Sequence, residues 1–141
     1  MTGGLIAVLI AAAPAQGGCA DQWKIELNRD SFARNGAGRR FRDAELAVFN
    51  AKAQVALRTA VGEACRERLV RPSTAKTVRR LEILSASGAT EPHFYPARKA
   101  MLRFEWDFAE ENLAIPEKRA IRAALACWSN PRGRSCAAEG D

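Results

Sequence analysis

Leu102-Arg103-Phe104-Glu105-Trp106-Asp107-Phe108 alternates apolar and charged side chains without a slip. A strand sends successive side chains to opposite faces, so this pattern describes a strand with one buried and one wet face. Burying Leu102, Phe104, Trp106 and Phe108 contributes roughly 1.5–3 kcal/mol each. Fixing the backbone costs roughly 1–2 kcal/mol per residue over the same stretch. Alone the strand about breaks even, so it needs helices and further strands to cover its aromatic edge.

Downstream, Glu110-Glu111-Asn112 leads to a helix expected from about Pro116 to Trp128. Pro116 suits a first helical turn, and Glu117 suits the positive end of the helix dipole. Ile121, Ala124, Leu125 and Trp128 recur at helical spacing as its inner stripe, with Lys118, Arg119 and Arg122 toward water. Upstream, Ser85 to Lys99 reads as a long connection containing Gly88, Pro92 and Pro96. Its centre, Glu91-Pro92-His93-Phe94-Tyr95-Pro96, holds the single His and single Tyr of the chain. Long irregular connections often carry function, and two prolines lower the entropy lost on binding. Glu91, His93, Phe94 and Tyr95 are therefore the leading contact residues. The alternative is a loop whose Phe94 and Tyr95 fold back to cap the core.

Further out, Val78 to Leu84 is a second strand, with Leu81 and Ile83 inward and Arg80 and Glu82 outward. Before it, Leu46, Phe49, Ala53, Leu57, Ala60, Val61, Ala64 and Cys65 form one apolar stripe. They predict a helix from about Ala44 to Leu69, capped by Asp43 and stopped by Arg71-Pro72. Gly62 weakens that helix unless it allows a close approach to the sheet. Trp23, Ile25 and Leu27 alternate with Gln22, Lys24 and Glu26 as a first strand. Between these two elements Arg29 to Arg42 is basic and contains Asn35-Gly36, a turn signal. Arg34, Arg39, Arg40 and Arg42 could grip an anionic polymer there; the alternative is a solvated connection. The expected fold is a small two-layer α+β sandwich. About three mainly antiparallel strands run in β-α-β-β-α order, with two helices packed on one face.

Leu5 to Ala13 is uncharged and apolar, too short for the ~20 residues a spanning helix needs. Ala13-Pro14-Ala15 follows, small where a signal peptidase reads. Residues 1–15 are expected to be a signal peptide and 16–141 one disulfide-stapled domain, periplasmic or secreted. No Lys or Arg precedes the apolar run, which departs from the usual pattern. A buried first strand is the competing reading, and acylation of Cys19 a third. Four cysteines beside an export signal imply two bridges in an oxidising compartment. Cys127 and Cys136 flank a Pro-Gly turn, and Cys19 and Cys65 sit where a strand and an antiparallel helix end. The expected pairs are Cys19–Cys65 and Cys127–Cys136, with Cys65–Cys127 as the competitor.

The 141 residues carry a net charge of +6, with 27% charged and 48% hydrophobic, which excludes a disordered chain. Seventeen of the 22 basic residues are Arg. There is no Cys-x-x-Cys, no phosphate-binding Gly loop and no cluster of metal-ligand spacing, so neither cofactor nor metal is expected. Glu105 and Asp107 share a strand face, but an open, Arg-rich face does not separate two carboxyls into acid and base. His93 is the one candidate general base, with Ser85 or Ser87 as partner, although neither serine stands in a Gly-x-Ser-x-Gly elbow. The reading that follows is a non-enzymatic domain that binds a protein or envelope component. A small hydrolase using His93 and a binder of anionic polymers are its rivals.

Overall fold

The computed structural model describes residues 19–35 and 41–130. It has the α+β architecture expected, with one strand more. Strands β1 (Lys24–Leu27), β2 (Arg80–Ser85), β3 (His93–Pro96) and β4 (Met101–Trp106) form one sheet in the order β1-β2-β4-β3. Helices α1 (Arg29–Arg34), α2 (Asp43–Arg66), α3 (Pro72–Ala75) and α4 (Lys118–Ser129) complete the described elements.

The alternating stretch supplies β4, next to β2 in the middle of the sheet. Leu102 and Phe104 are buried, as are Leu81 and Ile83 beside them on β2 and Ile25 on β1. The strand stops at Trp106, short of the Phe108 that the alternation suggested. Phe108 lies in the following turn, still fully buried, its ring 5.4 Å from that of Phe32 and 5.1 Å from that of Phe49. Aromatic pairs at such separations add roughly 0.5–1.5 kcal/mol beyond their buried area.

Pairing corrects the expected sheet. β1 and β2 are parallel, β2 and β4 are parallel, and only β3 and β4 are antiparallel. The sheet is therefore mixed and mainly parallel. The fourth strand is the segment expected to be a loop. Pro92 and Pro96 make it read as a break, but an edge strand tolerates proline where no ladder bond is needed. The Ala97 N–H donates to the Met101 carbonyl at 3.0 Å. By strict alternation His93 and Tyr95 then exchange bonds with β4, while Phe94 and Pro96 turn their main-chain groups away. Pro96 gives up nothing.

Helix α2 ends at Arg66, not Leu69, and is started by Arg42, not Asp43. The Glu45 carboxylate accepts the Arg42 N–H at 2.8 Å, and Asp43 instead pairs with Arg29 at 3.3 Å. Its end is a left-handed turn at Arg68, φ 64°. The Leu69 N–H donates to the Ala64 carbonyl at 2.8 Å and the Arg68 N–H to that of Cys65 at 3.1 Å. This closes the orphan carbonyls before Pro72 is reached. Gly62 does not approach the sheet: a Cβ there would meet only the Arg66 guanidinium, at 3.8 Å.

Helix α4 begins after Glu117, so Pro116 precedes it. Ile121, Ala124 and Leu125 are buried as expected, and Trp128 stands edge-on to Trp23 at 6.4 Å. Arg122 does not simply face water. It reaches Glu63 at 3.5 Å and pairs with Glu67, tying α4 to α2. That pairing, through the shared hydrogen bond first, lowers the Glu67 carboxyl below its ordinary pKa. The basic connection after β1 is partly helical, as α1. Its Phe32 is buried, and Asn35 is buried at its end instead of forming a hairpin tip.

Cys19 and Cys65 form a disulfide, Cα atoms 5.8 Å apart, joining the approach to β1 to the end of α2. A thiol held in this bond cannot be acylated, which removes the lipid-anchored reading of Cys19. The competitor pair Cys65–Cys127 is excluded by the same bond. Residues 1–15, Gly36, Arg39, Arg40 and Cys136 lie outside the described residues.

Candidate functional site

The sheet's apolar face is covered by helices, and its opposite face carries paired charges. On β1 and β2, Arg80 donates to Glu26 at 3.0 and 3.3 Å. On β2 and β4, Arg103 donates to Glu82 at 2.6 Å, and Asn28 donates to the same carboxylate at 3.3 Å. On β4 and β3, Glu105 accepts the Tyr95 hydroxyl at 3.2 Å and lies 3.1 Å from His93 Nε2. Cross-strand neighbours a few ångströms apart explain each pair, because β3 sets His93 opposite Glu105 and Tyr95 opposite Arg103.

The β3 end of this ladder is the part that differs chemically from the rest. The His93 and Tyr95 rings stack, centroids 5.6 Å apart at 28°. Glu105 beneath them has its side chain 19% exposed, whereas that of His93 is 42% exposed. Two aromatic rings thus stand on the surface, their polar atoms anchored by one shielded carboxylate. Burial, then the charge of Glu105, pushes the Tyr95 hydroxyl above the usual phenol range, and Arg103 works partly against them. The hydrogen bond to Glu82 first, and the nearby phenol next among the favourable contacts, hold Arg103 more firmly protonated.

Of the residues singled out in the sequence, His93 and Tyr95 are brought together on this face. Phe94 points the other way: it is buried against Phe104, rings 4.8 Å apart. An exposed apolar patch of Phe94 and Tyr95 is therefore not formed, and the core-capping alternative holds for Phe94. Glu91 is exposed, and its carbonyl oxygen lies 3.5 Å from His93 Nδ1. Arg34 and Arg42 are exposed at the opposite end of β1 from Lys24, near the start of α2.

The His93–Ser85 and His93–Ser87 pairings are not made. Ser85 lies on the helix-covered face, donating to Asn35 and accepting the Phe108 N–H at 3.1 Å. Ser87 accepts the Asn35 amide at 2.7 Å. Nor do Glu105 and Asp107 act as a pair. Asp107 lies past the strand end and accepts the N–H groups of Gly88 and Glu110 at 2.8 and 3.0 Å. His93 Nε2 lies 3.1 Å from Glu105 and Nδ1 lies 3.5 Å from the Glu91 carbonyl. The signal for Glu105 as the anchor lay in β4 itself. It could not be used without knowing that Glu91 to Pro96 forms the adjoining strand.

Among the described residues no group of three His, Cys, Asp or Glu side chains could hold a metal ion. No described helix is long and apolar enough to cross a membrane. Comparison with protein-family models, characterised proteins and solved structures finds no match to this chain.

Proposed function

We propose that this chain is an exported domain, periplasmic or secreted, that works by binding a protein or cell-envelope component and catalyses no reaction of its own. The contact surface is the β3 side of the open sheet face: His93, Tyr95 and the neighbouring Arg103, with Glu91 at its rim. The observation that carries this is the stacked His93–Tyr95 pair, fixed in place by Glu105. Rings already held in one rotamer lose little entropy on docking, which favours affinity. Aromatic side chains with polar tips are also those enriched at binding surfaces.

Export is supported by the apolar Leu5 to Ala13 run with Ala13-Pro14-Ala15 after it, and by the Cys19–Cys65 disulfide. Such bonds persist in oxidising compartments. Intact-mass measurement on the protein from its native cell tests this part. The expected species lacks residues 1–15 and four hydrogens; full-length reduced chain overturns it. The contact surface is tested with a photo-crosslinking amino acid placed at Tyr95 or, as a control, at exposed Val55 on α2. A discrete adduct at position 95 that is lost in His93→Ala is expected. Equal labelling from position 55, or none from 95, rejects the surface.

A further inference from the structure

Helix α2 is apolar on two sides. Its inner stripe, from Leu46 to Ala64, is buried in the core. On the opposite side Ala44, Val48, Ala51 and Val55 follow at steps of four, three and four. That spacing draws one line of about 16 Å along the outermost edge of the helix. All four side chains are exposed. Val48, at 58%, and Val55, at 68%, are the large hydrophobic side chains left exposed among the described residues. A helix with one face in water ordinarily carries charge there. Here the only charges from Ala44 to Leu57 are Glu45 and Lys52. They stand two turns apart on one flank of the line. Lys52 takes part in none of the ion pairs among the described residues. The line ends where Arg58 folds back and donates to the Ala20 and Trp23 carbonyls at 3.3 and 3.1 Å.

Two valines scattered singly on a surface would need no explanation. These lie on a line that fits a copy of itself. We infer that α2 docks on α2 of a second copy of this chain, antiparallel across a two-fold axis. One register sets Ala44 against the partner's Val55 and Val48 against the partner's Ala51, and the two-fold repeats both contacts. Each of the four layers then faces a large side chain with a small one, which lets the surfaces interdigitate and the axes approach to about 8 Å. The same register brings Glu45 beside the partner's Lys52, and Lys52 beside the partner's Glu45, because like flanks face each other in an antiparallel pair. A parallel pair has neither merit. It stacks valine on valine and alanine on alanine, and turns both charges toward the uncharged flank of Ala47 and Gln54. Charge and shape therefore select one arrangement, and it closes as a dimer. Four layers make a small interface, so association depends on concentration. Helix α2 covers the face of the sheet opposite His93 and Tyr95, so the dimer leaves both copies of that surface open, whatever they bind.

Sedimentation equilibrium over a concentration series reaching about 1 mM, the range of weak complexes, tests the inference. The expected species has twice the chain's mass. Val48→Asp with Val55→Asp, both at exposed positions, leaves a monomer. Val48→Ser with Val55→Ser replaces that pair if circular dichroism melts show a loss of fold. Lys52→Glu sets acid against acid at both ends of the interface and weakens the dimer at least about fivefold. Lys24→Glu, with the same change of net charge, weakens it less than about twofold. Adding Glu45→Gln to Lys52→Glu removes the repulsion while keeping a side chain that caps the helix start, and recovers at least about threefold. A photo-crosslinker at position 55 joins chain to chain, at twice the chain's mass, and is thereby told apart from a partner captured at position 95. A monomer throughout the series, a dimer that survives loss of both valines, equal weakening by Lys24→Glu and Lys52→Glu, or no recovery on adding Glu45→Gln overturns the inference.

Discussion

At Arg68 the backbone is left-handed, φ 64°, in the turn that ends α2. A side chain with a Cβ is strained there by roughly 1 kcal/mol, and glycine is the residue such turns favour. Six residues earlier Gly62 sits inside the helix, where a Cβ would make only an ordinary contact with the Arg66 guanidinium at 3.8 Å. The two positions carry each other's best residue. Gly62→Ala and Arg68→Gly are each expected to raise stability by about 0.5–1 kcal/mol, seen as a higher melting temperature. Tyr95 offers a different measurement, because it is the single tyrosine of the chain. Its raised pKa means the folded state holds the phenol proton more tightly than the unfolded state does. The stability it contributes is intact below the ordinary phenol value of about 10 and drains as pH climbs through the raised one. Ultraviolet titration should place the folded midpoint above the denatured one. Glu105→Gln should lower the folded midpoint, since the carboxylate's charge is the second cause of the rise. An unchanged midpoint would separate Tyr95 from Glu105.

Among the elements, α1 and β3 show why local pattern was insufficient. Alternation identified β1, β2 and β4, because each buries one face and wets the other. β3 is four residues long with a proline at its end, too short to display a period. Its partner lies on the far side of a turn, and only pairing reveals that His93 and Glu105 meet. The apolar stripe marked α2 well, but its boundaries depended on a glutamate three residues in and a left-handed arginine, signals weaker than Asp43 and Pro72. α1 was obscured by its arginines. It is held by a polar set under the sheet end. The Asn28 side chain accepts the Ser31 N–H at 3.0 Å, Ser31 Oγ accepts the Ser85 N–H at 3.0 Å, and Ser85 bonds Asn35 and Phe108. Ser85→Ala removes the hydroxyl that donates to the buried Asn35 side chain and shares the Phe108 N–H with the Trp106 carbonyl. That should cost about 1–3 kcal/mol in urea unfolding. Thr77→Ala, at an exposed hydroxyl, should cost less than about 0.5 kcal/mol.

For the molecule as a whole, one core joins sheet and helices, running from Trp23 on β1's approach through Leu57, Phe104 and Phe108 to Leu125. The Cys19–Cys65 bridge crosses 46 residues of chain, spanning β1, α1 and α2. Closing a loop of that size in the unfolded state stabilises the fold by roughly 2–4 kcal/mol. Cys19→Ala with Cys65→Ala should lose that amount in denaturant unfolding, and dithiothreitol should destabilise the native protein similarly. The covered face was legible from composition and periodicity, because burying aromatic rings leaves a repeating mark. The wet face was not, because its pairs depend on strand order, and the order β1-β2-β4-β3 has no local signature.

That order also dictates a sequence of assembly. The final strand to leave the ribosome is seated between two that precede it. Until Trp106 has emerged, β2 has a neighbour on one side only and β3 has none. The sheet cannot zip up progressively behind the growing chain; it must wait, ajar, for its penultimate element, and a chain cut before Met101 keeps the β1–β2 pair but leaves β3 without its partner strand.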